Sequence, residues 1–129
     1  MSDTRAEFTA AAAAYEAALD EWHSVIDLLR QAQAALRMTE WDVETREAEL
    51  LLNPAIEGKN AEARAAQLLL DCAADETYRR LSVAAESARN DVAQQTGAAQ
   101  AGRDRMSLEK RKLDFSIGWL SFLAQEGGE

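Results

Sequence analysis

The stretch that decides the fold is residues 52–60, with the sequence LNPAIEGKN. It contains the chain's only proline, Pro54, and its Gly58 is the only glycine before residue 97. Because a proline disfavours helical backbone in the residue before it, we expect a first helix to end near Leu52. Gly58 permits a positive φ, and Asn60 is a good N-cap for a second helix. The stretch therefore predicts the corner of a helical hairpin.

A heptad repeat before this corner predicts one long helix over residues 4–52. The repeat is apolar at every position of one column: Phe8, Tyr15, Trp22, Leu29, Leu36, Val43 and Leu50. The companion column, four residues further on, is apolar only as far as Ile26 and then continues as Gln33, Glu40 and Glu47. A repeat of this period is typical of helices that pack as coiled coils.

A second heptad repeat follows the turn at 53–59 and predicts a helix over residues 60–96. Its main column is Tyr78, Ala85, Val92, Ala99, Met106, Leu113 and Leu120. Its companion column is Leu81, Ala88, Gln95, Gly102 and Glu109. Gly97 and Gly102 each weaken a helix by up to ~1 kcal/mol relative to alanine. Either the second helix continues through them, or it ends there and a C-terminal helix occupies residues 103–124.

The most hydrophobic segment of the chain, residues 113–123, predicts an interface. In an antiparallel hairpin that turns at the corner, paired residue numbers add to roughly 113, so residues beyond about 110 have no partner. An exposed apolar segment marks an interaction site, which leaves packing back onto the hairpin or packing onto another copy. The candidate interface residues are Phe115, Ile117, Trp119, Leu120, Phe122 and Leu123. We expect residues 125–129 to be a disordered tail.

Length and composition predict a single all-α domain over residues 1–129, a long antiparallel helical hairpin of coiled-coil type. A chain of 129 residues is too short for two substantial cores. Its net charge of −9 argues against non-specific binding to nucleic acid. One cysteine forms no intramolecular disulfide, and no apolar run is long enough to span a bilayer. These features predict a cytoplasmic protein without a membrane partner.

A short motif follows the corner: Gly58, Lys59 and Asn60, then the acidic Glu62, then Arg64 at the start of an alanine- and glutamine-rich helix. This motif, with a long helix on either side, resembles short helical proteins of phage and prophage genomes. The resemblance implies a phage-derived helical hairpin of unassigned function, often encoded near replication and recombination genes, and it carries no catalytic residues. For a phage-encoded chain the compartment is the host cytoplasm.

The same motif contains a candidate anion site made of Lys59, Asn60 and Arg64. Free N–H groups at a helix N-terminus, together with two cations, attract phosphate or carboxylate. The alternative is purely structural, with Asn60 capping the helix and Arg64 pairing with a nearby glutamate. The motif is not a P-loop, because Asn53 stands where the first glycine is required.

Two groups of acidic residues are candidates for metal sites, but the sequence favours a metal site at neither. His23, the only histidine, shares a helical face with Glu16, Asp20 and Asp27, but di-iron bundles need a second carboxylate-x-x-histidine motif. A second group would hold Mg²⁺ in a helical nucleotide hydrolase. It consists of Glu40, Glu44, Glu47, Asp71, Asp75 and Glu76. Nearby arginines favour a solvated charged face instead.

The sequence thus predicts a non-enzymatic structural or interaction protein that needs no cofactor and associates with itself. A different protein partner stays open. The first alternative is an accessory factor for phage DNA replication or recombination, and direct binding to nucleic acid is left open. That alternative follows from the resemblance and from the basic residues Lys59, Arg64, Arg103, Arg105 and 110–112. The second alternative, a Mg²⁺-dependent nucleotide hydrolase, is the least favoured.

Overall fold

The computed structural model describes residues 2–53 and 60–127. Within these ranges it contains no strand and three α-helices: α1 (Ser2–Leu51), α2 (Ala61–Ala74) and α3 (Glu76–Gly127). α1 and α3 pack against each other, which confirms the predicted all-α helical hairpin. No helix of the described residues is long and apolar enough to cross a membrane.

The chain forms two compact units, and each contains part of α1 and part of α3. The first unit consists of Met1–Leu29 and Gln95–Glu129. The second consists of Arg30–Gln94 and also includes α2.

The inward face of α1 alternates large and small side chains at heptad spacing. The predicted large column, from Phe8 to Leu50, is half-buried throughout. The column three residues after it is buried or half-buried as well: Ala11, Ala18, Val25, Ala32, Thr39 and Arg46. Ala18, only 1% exposed, is the most buried residue of the helix. Most residues of the predicted companion column are also half-buried. The most buried position of α1, Ala18, belongs to a column that the sequence analysis did not single out.

Both predicted heptad columns of α3 face inward. Every member from Tyr78 to Leu120 is buried or half-buried, and Ala85, Ala88 and Ala99 are the most buried residues of α3. Since alanine has almost no side-chain bulk, these positions let paired helices approach closely. The same choice of residue limits the apolar area that the core buries, so the large side chains lie along its flanks.

The second half of the chain breaks at Asp75 and not at the glycines. We predicted one helix over 60–96 and a possible restart at 103, whereas α2 ends at Ala74 and α3 then continues without interruption to Gly127. The separate C-terminal helix at 103–124 is therefore wrong. The predicted tail is wrong for residues 125–127, which are helical, and Gly128 and Glu129 lie outside the described residues. Of the predicted turn at 53–59, only Asn53, which is not helical, is described.

Asp75 breaks the helix because it caps both sides of the junction. Its backbone is extended, with φ −81° and ψ 117°, and its N–H donates to the Asp71 carbonyl at 2.9 Å. Its side-chain Oδ2 accepts the N–H of Tyr78 at 2.7 Å, as the N-cap of α3. One residue thus satisfies polar groups at the end of α2 and at the start of α3.

Arg46 of α1 ties this junction to the first helix. Its Nε and Nη2 donate to the two carboxylate oxygens of Asp75 at 2.9 and 2.8 Å, a bidentate pair. Nη1 donates to Glu49 at 2.8 Å. The Arg46 guanidinium and the Tyr78 N–H lower the pKa of Asp75 from 3.8 to about 2. Beside this pair the Tyr78 hydroxyl donates to Glu47 at 3.0 Å, and that hydrogen bond raises the pKa of Tyr78.

The helices pair in a different register from the one predicted. Contacts between α1 and α3 join Glu21 to Arg105 and Trp22 to Gly102 in the first unit, and Glu40 to Arg89 and Glu47 to Tyr78 in the second. The paired numbers add to between 124 and 129, and not to roughly 113. The reason is α2: it belongs to the connection, so the end of α1 pairs with the start of α3. Residues beyond 110 therefore have counterparts near the start of α1, and the expectation that they lack a partner is wrong.

Two glycines of α3, Gly97 and Gly102, offer a matched test of this register. A Cβ at Gly102 would lie 3.3 Å from Cδ1 of Trp22, whereas a Cβ at Gly97 would meet nothing within 4 Å. We expect Gly97→Gln to stabilise the protein by about 0.5–1 kcal/mol through helix propensity. We expect Gly102→Gln to destabilise it by about 1–2 kcal/mol, because the new side chain crowds Trp22. Urea unfolding measures both, and equal effects at the two positions would contradict the register.

The pairing of Asp75 with Arg46 predicts a defined dependence of stability on pH. Because the pKa of Asp75 is lowered by folding, its ionised form stabilises the native protein above about pH 4, and this contribution is lost as the pH falls towards 2. In Asp75→Asn the side chain still caps α3, since asparagine is as good an N-cap, but the charge pair is gone. We expect the urea midpoint of Asp75→Asn to lie below that of the wild type at pH 7 and to converge with it near pH 2.

The control is Asp42→Asn, because Asp42 is an exposed carboxylate of α1 in the same unit. The urea midpoint of Asp42→Asn should match that of the wild type across the whole pH range. Parallel curves for Asp75→Asn and the wild type down to pH 2 would show that the pair adds no pH-dependent stability.

Candidate interaction surface

The last part of α3 exposes large apolar side chains that the hairpin does not cover. Phe115 is 76% exposed, and Trp119 and Phe122 are 46% and 49% exposed. Leu108 is 51% exposed on the same side of the helix. We call Leu108, Phe115, Trp119 and Phe122 the outer face of α3. Contiguous exposed apolar side chains of this kind mark interaction sites on proteins.

The aromatic side chains of the outer face form a shallow groove. Phe115, Gly118, Trp119 and Phe122 line a volume of about 350 Å³. The rings of Trp119 and Phe122 stack, with centroids 5.5 Å apart and planes inclined by 20°. Gly118 keeps the groove open, since a Cβ there would meet nothing within 4 Å. Rings held by stacking form a preorganised surface for another apolar group.

The outer face repeats at heptad spacing, as the inward face does. Leu108, Phe115 and Phe122 are separated by seven residues, and Trp119 lies one turn from Phe115. At ~100° per residue the column of Leu108, Phe115 and Phe122 lies nearly half a turn around the helix from the inward column of Leu113 and Leu120. α3 therefore has two apolar faces in this segment, and a helix with two such faces needs two neighbours.

The structure divides the predicted interface residues between these faces. Leu120 and Leu123 are half-buried on the inward face, so they belong to the hairpin. Phe115, Trp119 and Phe122 lie on the outer face. Ile117 is 46% exposed and lies at the edge of the inward face, four residues after Leu113 and three before Leu120. One side of this segment thus packs back onto the hairpin, and packing onto another copy stays a prediction for the other side.

Sequence reasoning missed that Leu108 belongs with the aromatic residues. The signal was present, because Leu108, Phe115 and Phe122 form a third heptad column. It was overlooked because residues 113–123 were treated as one unpartnered segment, without separating the sides of the helix.

Two other pairs of exposed apolar side chains differ from the outer face of α3. Met38 and Trp41 of α1 are 65% and 66% exposed, and Leu69 and Leu70 of α2 are 74% and 66% exposed. Each is a pair on a single turn of helix without continuation at heptad spacing. Scattered exposed residues of this kind are ordinary on protein surfaces.

The structure describes two of the three residues of the candidate anion site. Asn60 caps α2, with its side-chain oxygen accepting the N–H of Ala63 at 2.8 Å, which is the structural role offered as the alternative. Arg64 is exposed on the first turn of α2, and Lys59 lies outside the described residues. The anion site stays a prediction.

Several carboxylates of the group considered as a magnesium site interact with other side chains of the protein. Glu40 pairs with Arg89, Glu47 accepts from Tyr78, and Asp75 binds Arg46. Asp71 accepts from Gln67 at 3.0 Å through Oδ1. Across residues 2–53 and 60–127, no three His, Cys, Asp or Glu side chains come together in a way that would hold a metal ion.

Two of the basic residues behind the nucleic-acid alternative interact with carboxylates of the chain itself. Arg105 donates to Glu21 of α1, and Lys112 pairs with Glu109 at 3.5 Å. The role at nucleic acid stays a prediction. Comparison of the chain with protein-family models, with curated proteins and with solved structures finds no match.

Alanine substitutions on the two faces of α3 should differ sharply in their effect on stability. Leu113 is half-buried on the inward face, whereas Phe115, two residues away, is 76% exposed. We expect Leu113→Ala to lower the free energy of unfolding by about 1–2 kcal/mol, since it removes part of a packed side chain. Phe115→Ala should change it by less than about 0.5 kcal/mol.

Both variants should be unfolded with urea at low protein concentration, so that association does not contribute. A loss at Phe115 as large as that at Leu113 would mean that the outer face is packed within the chain.

Proposed function

We propose that this chain is a non-enzymatic structural protein that associates with itself through the outer face of α3. The observation that supports the proposal most strongly is the exposed heptad column Leu108, Phe115 and Phe122, with Trp119 beside it. A heptad repeat is the pattern by which helices pair with helices, so the natural occupant of this face is another helix of the same kind. A second copy supplies one.

The size of the face sets the strength of the association. An aromatic side chain buries about 150–250 Å² when fully covered. Here Trp119 and Phe122 are roughly half exposed and Phe115 is 76% exposed. They leave about 250–450 Å² for a partner, less than the roughly 800 Å² that each partner of a standard stable interface contributes. We therefore propose a reversible dimer that dissociates on dilution below roughly 10 µM.

The proposal includes an origin in a phage or prophage genome. It is supported by the resemblance of residues 56–68 to short phage-encoded helical proteins and by the two long helices of the hairpin, α1 and α3.

Trp119→Asp should abolish the dimer while leaving the fold intact. The substitution places a charge at the centre of the outer face, where a partner would have to desolvate it. We expect sedimentation equilibrium to give the wild type an average mass that rises from 14.2 kDa towards twice that value between about 1 and 500 µM. The variant should remain at 14.2 kDa throughout.

The matched control is Trp41→Asp, which introduces the same charge at a tryptophan of α1 that is 66% exposed. It should dimerise as the wild type does. Circular dichroism of both variants checks that the helices persist. A wild type that stays at 14.2 kDa at the highest concentration would refute the proposed self-association.

A further inference from the structure

We propose that the two copies pack antiparallel, with Trp119 of one copy level with Trp119 of the other on a two-fold axis. This inference rests on the proposed self-association and specifies its geometry. It follows from how the charges of the outer face are distributed about Trp119.

Lys112 and Glu126 lie seven residues before and seven residues after Trp119, so all three are in one heptad column. Lys112 is 59% exposed, and Glu126 is exposed too. An antiparallel pair centred on Trp119 brings Lys112 of each copy level with Glu126 of the other, which makes two opposite-charge contacts. A parallel pair would instead place lysine beside lysine and glutamate beside glutamate. Contacts of this kind decide the orientation of paired helices.

The aromatic side chains fit the same arrangement. Phe115 lies four residues before Trp119 and Phe122 three residues after it, so each Phe115 falls beside the Phe122 of the other copy. Gly118, next to the axis, leaves the groove open where the two Trp119 rings meet. The two copies thus bring identical surfaces together, as a two-fold dimer interface requires.

The contact that Lys112 makes within its own chain does not oppose this arrangement. Its ammonium group lies 3.5 Å from Glu109, a pair on the helix surface. Such exposed pairs contribute little to stability, and Lys112 has a long flexible side chain that can reach a second carboxylate. The dimer contacts would be equally modest in strength, so they select the orientation while the aromatic residues supply the affinity.

Charge exchange between the two positions tests the orientation. In the antiparallel dimer, Lys112→Glu sets two pairs of glutamates against each other, and Glu126→Lys sets two pairs of lysines. We expect each single variant to weaken the dimer about three- to thirtyfold at low salt, and the double variant to recover wild-type affinity. Lys110→Glu, the same charge change two residues away on another side of the helix, should have the smaller effect. In a parallel dimer each single variant only exchanges one like-charge pair for another, and the affinity would not fall.

Zero-length carbodiimide coupling of the unmodified wild-type protein tests the same contact directly. It joins a lysine amine to a carboxylate that touches it. Within one copy Lys112 and Glu126 are roughly 21 Å apart along α3, so a covalent link between them can form only between copies. We expect mass spectrometry of the cross-linked dimer to find the Lys112–Glu126 peptide pair and to lose it at high salt.

The outcomes separate the two proposals. A concentration-dependent dimer that lacks this cross-link and tolerates both single variants overturns the antiparallel arrangement and leaves self-association standing. A chain that remains monomeric at every concentration overturns both. A dimer with the cross-link, weakened by each single exchange and restored by the double one, supports both.

Discussion

The bidentate pair between Arg46 and Asp75 holds the point at which α2 ends and α3 begins. Asp75 caps the end of α2 through its backbone N–H, and its carboxylate caps the start of α3 and binds Arg46 of α1. One residue thus determines the break and places the start of α3 beside α1. With the start of α3 placed beside the end of α1, the helices pair in a register in which α2 takes no part. Contacts in each compact unit give that same register.

The register and the alanine core together determine which surface is left for a partner. Small residues let the helices approach closely, and one side of the C-terminal part of α3 is used within the hairpin at Leu113, Leu120 and Leu123. Phe115 and Phe122 on the outer face cannot also reach α1, because they lie nearly half a turn from the inward column of Leu113 and Leu120. Trp119 lies about a third of a turn from that column. An exposed face with its own heptad repeat is what a helix needs to bind another helix.

Heptad spacing in the sequence was sufficient to predict α1 and the inward columns of α1 and α3, because period is a property of residue order alone. The break at Asp75 was missed because α2 and α3 both have helical patterns, and only the hydrogen bonds of Asp75 show that the helix stops there. The register error followed from that omission, since α2 was counted as part of the pairing. Because of the wrong register, the division of residues 113–123 into two faces was not predicted. That division depends on where α1 lies and not on how apolar the segment is.

The proposed function requires a second copy of the chain to cover the outer face of α3. Hydroxyl-radical footprinting of the wild type at low and high protein concentration tests it most directly, with oxidation read residue by residue. If the claim is correct, oxidation of Phe115, Trp119 and Phe122 falls as the concentration rises, while that of Met38 and Trp41 stays constant. Unchanged oxidation of the three aromatic residues, or equal protection at Trp41, would contradict it.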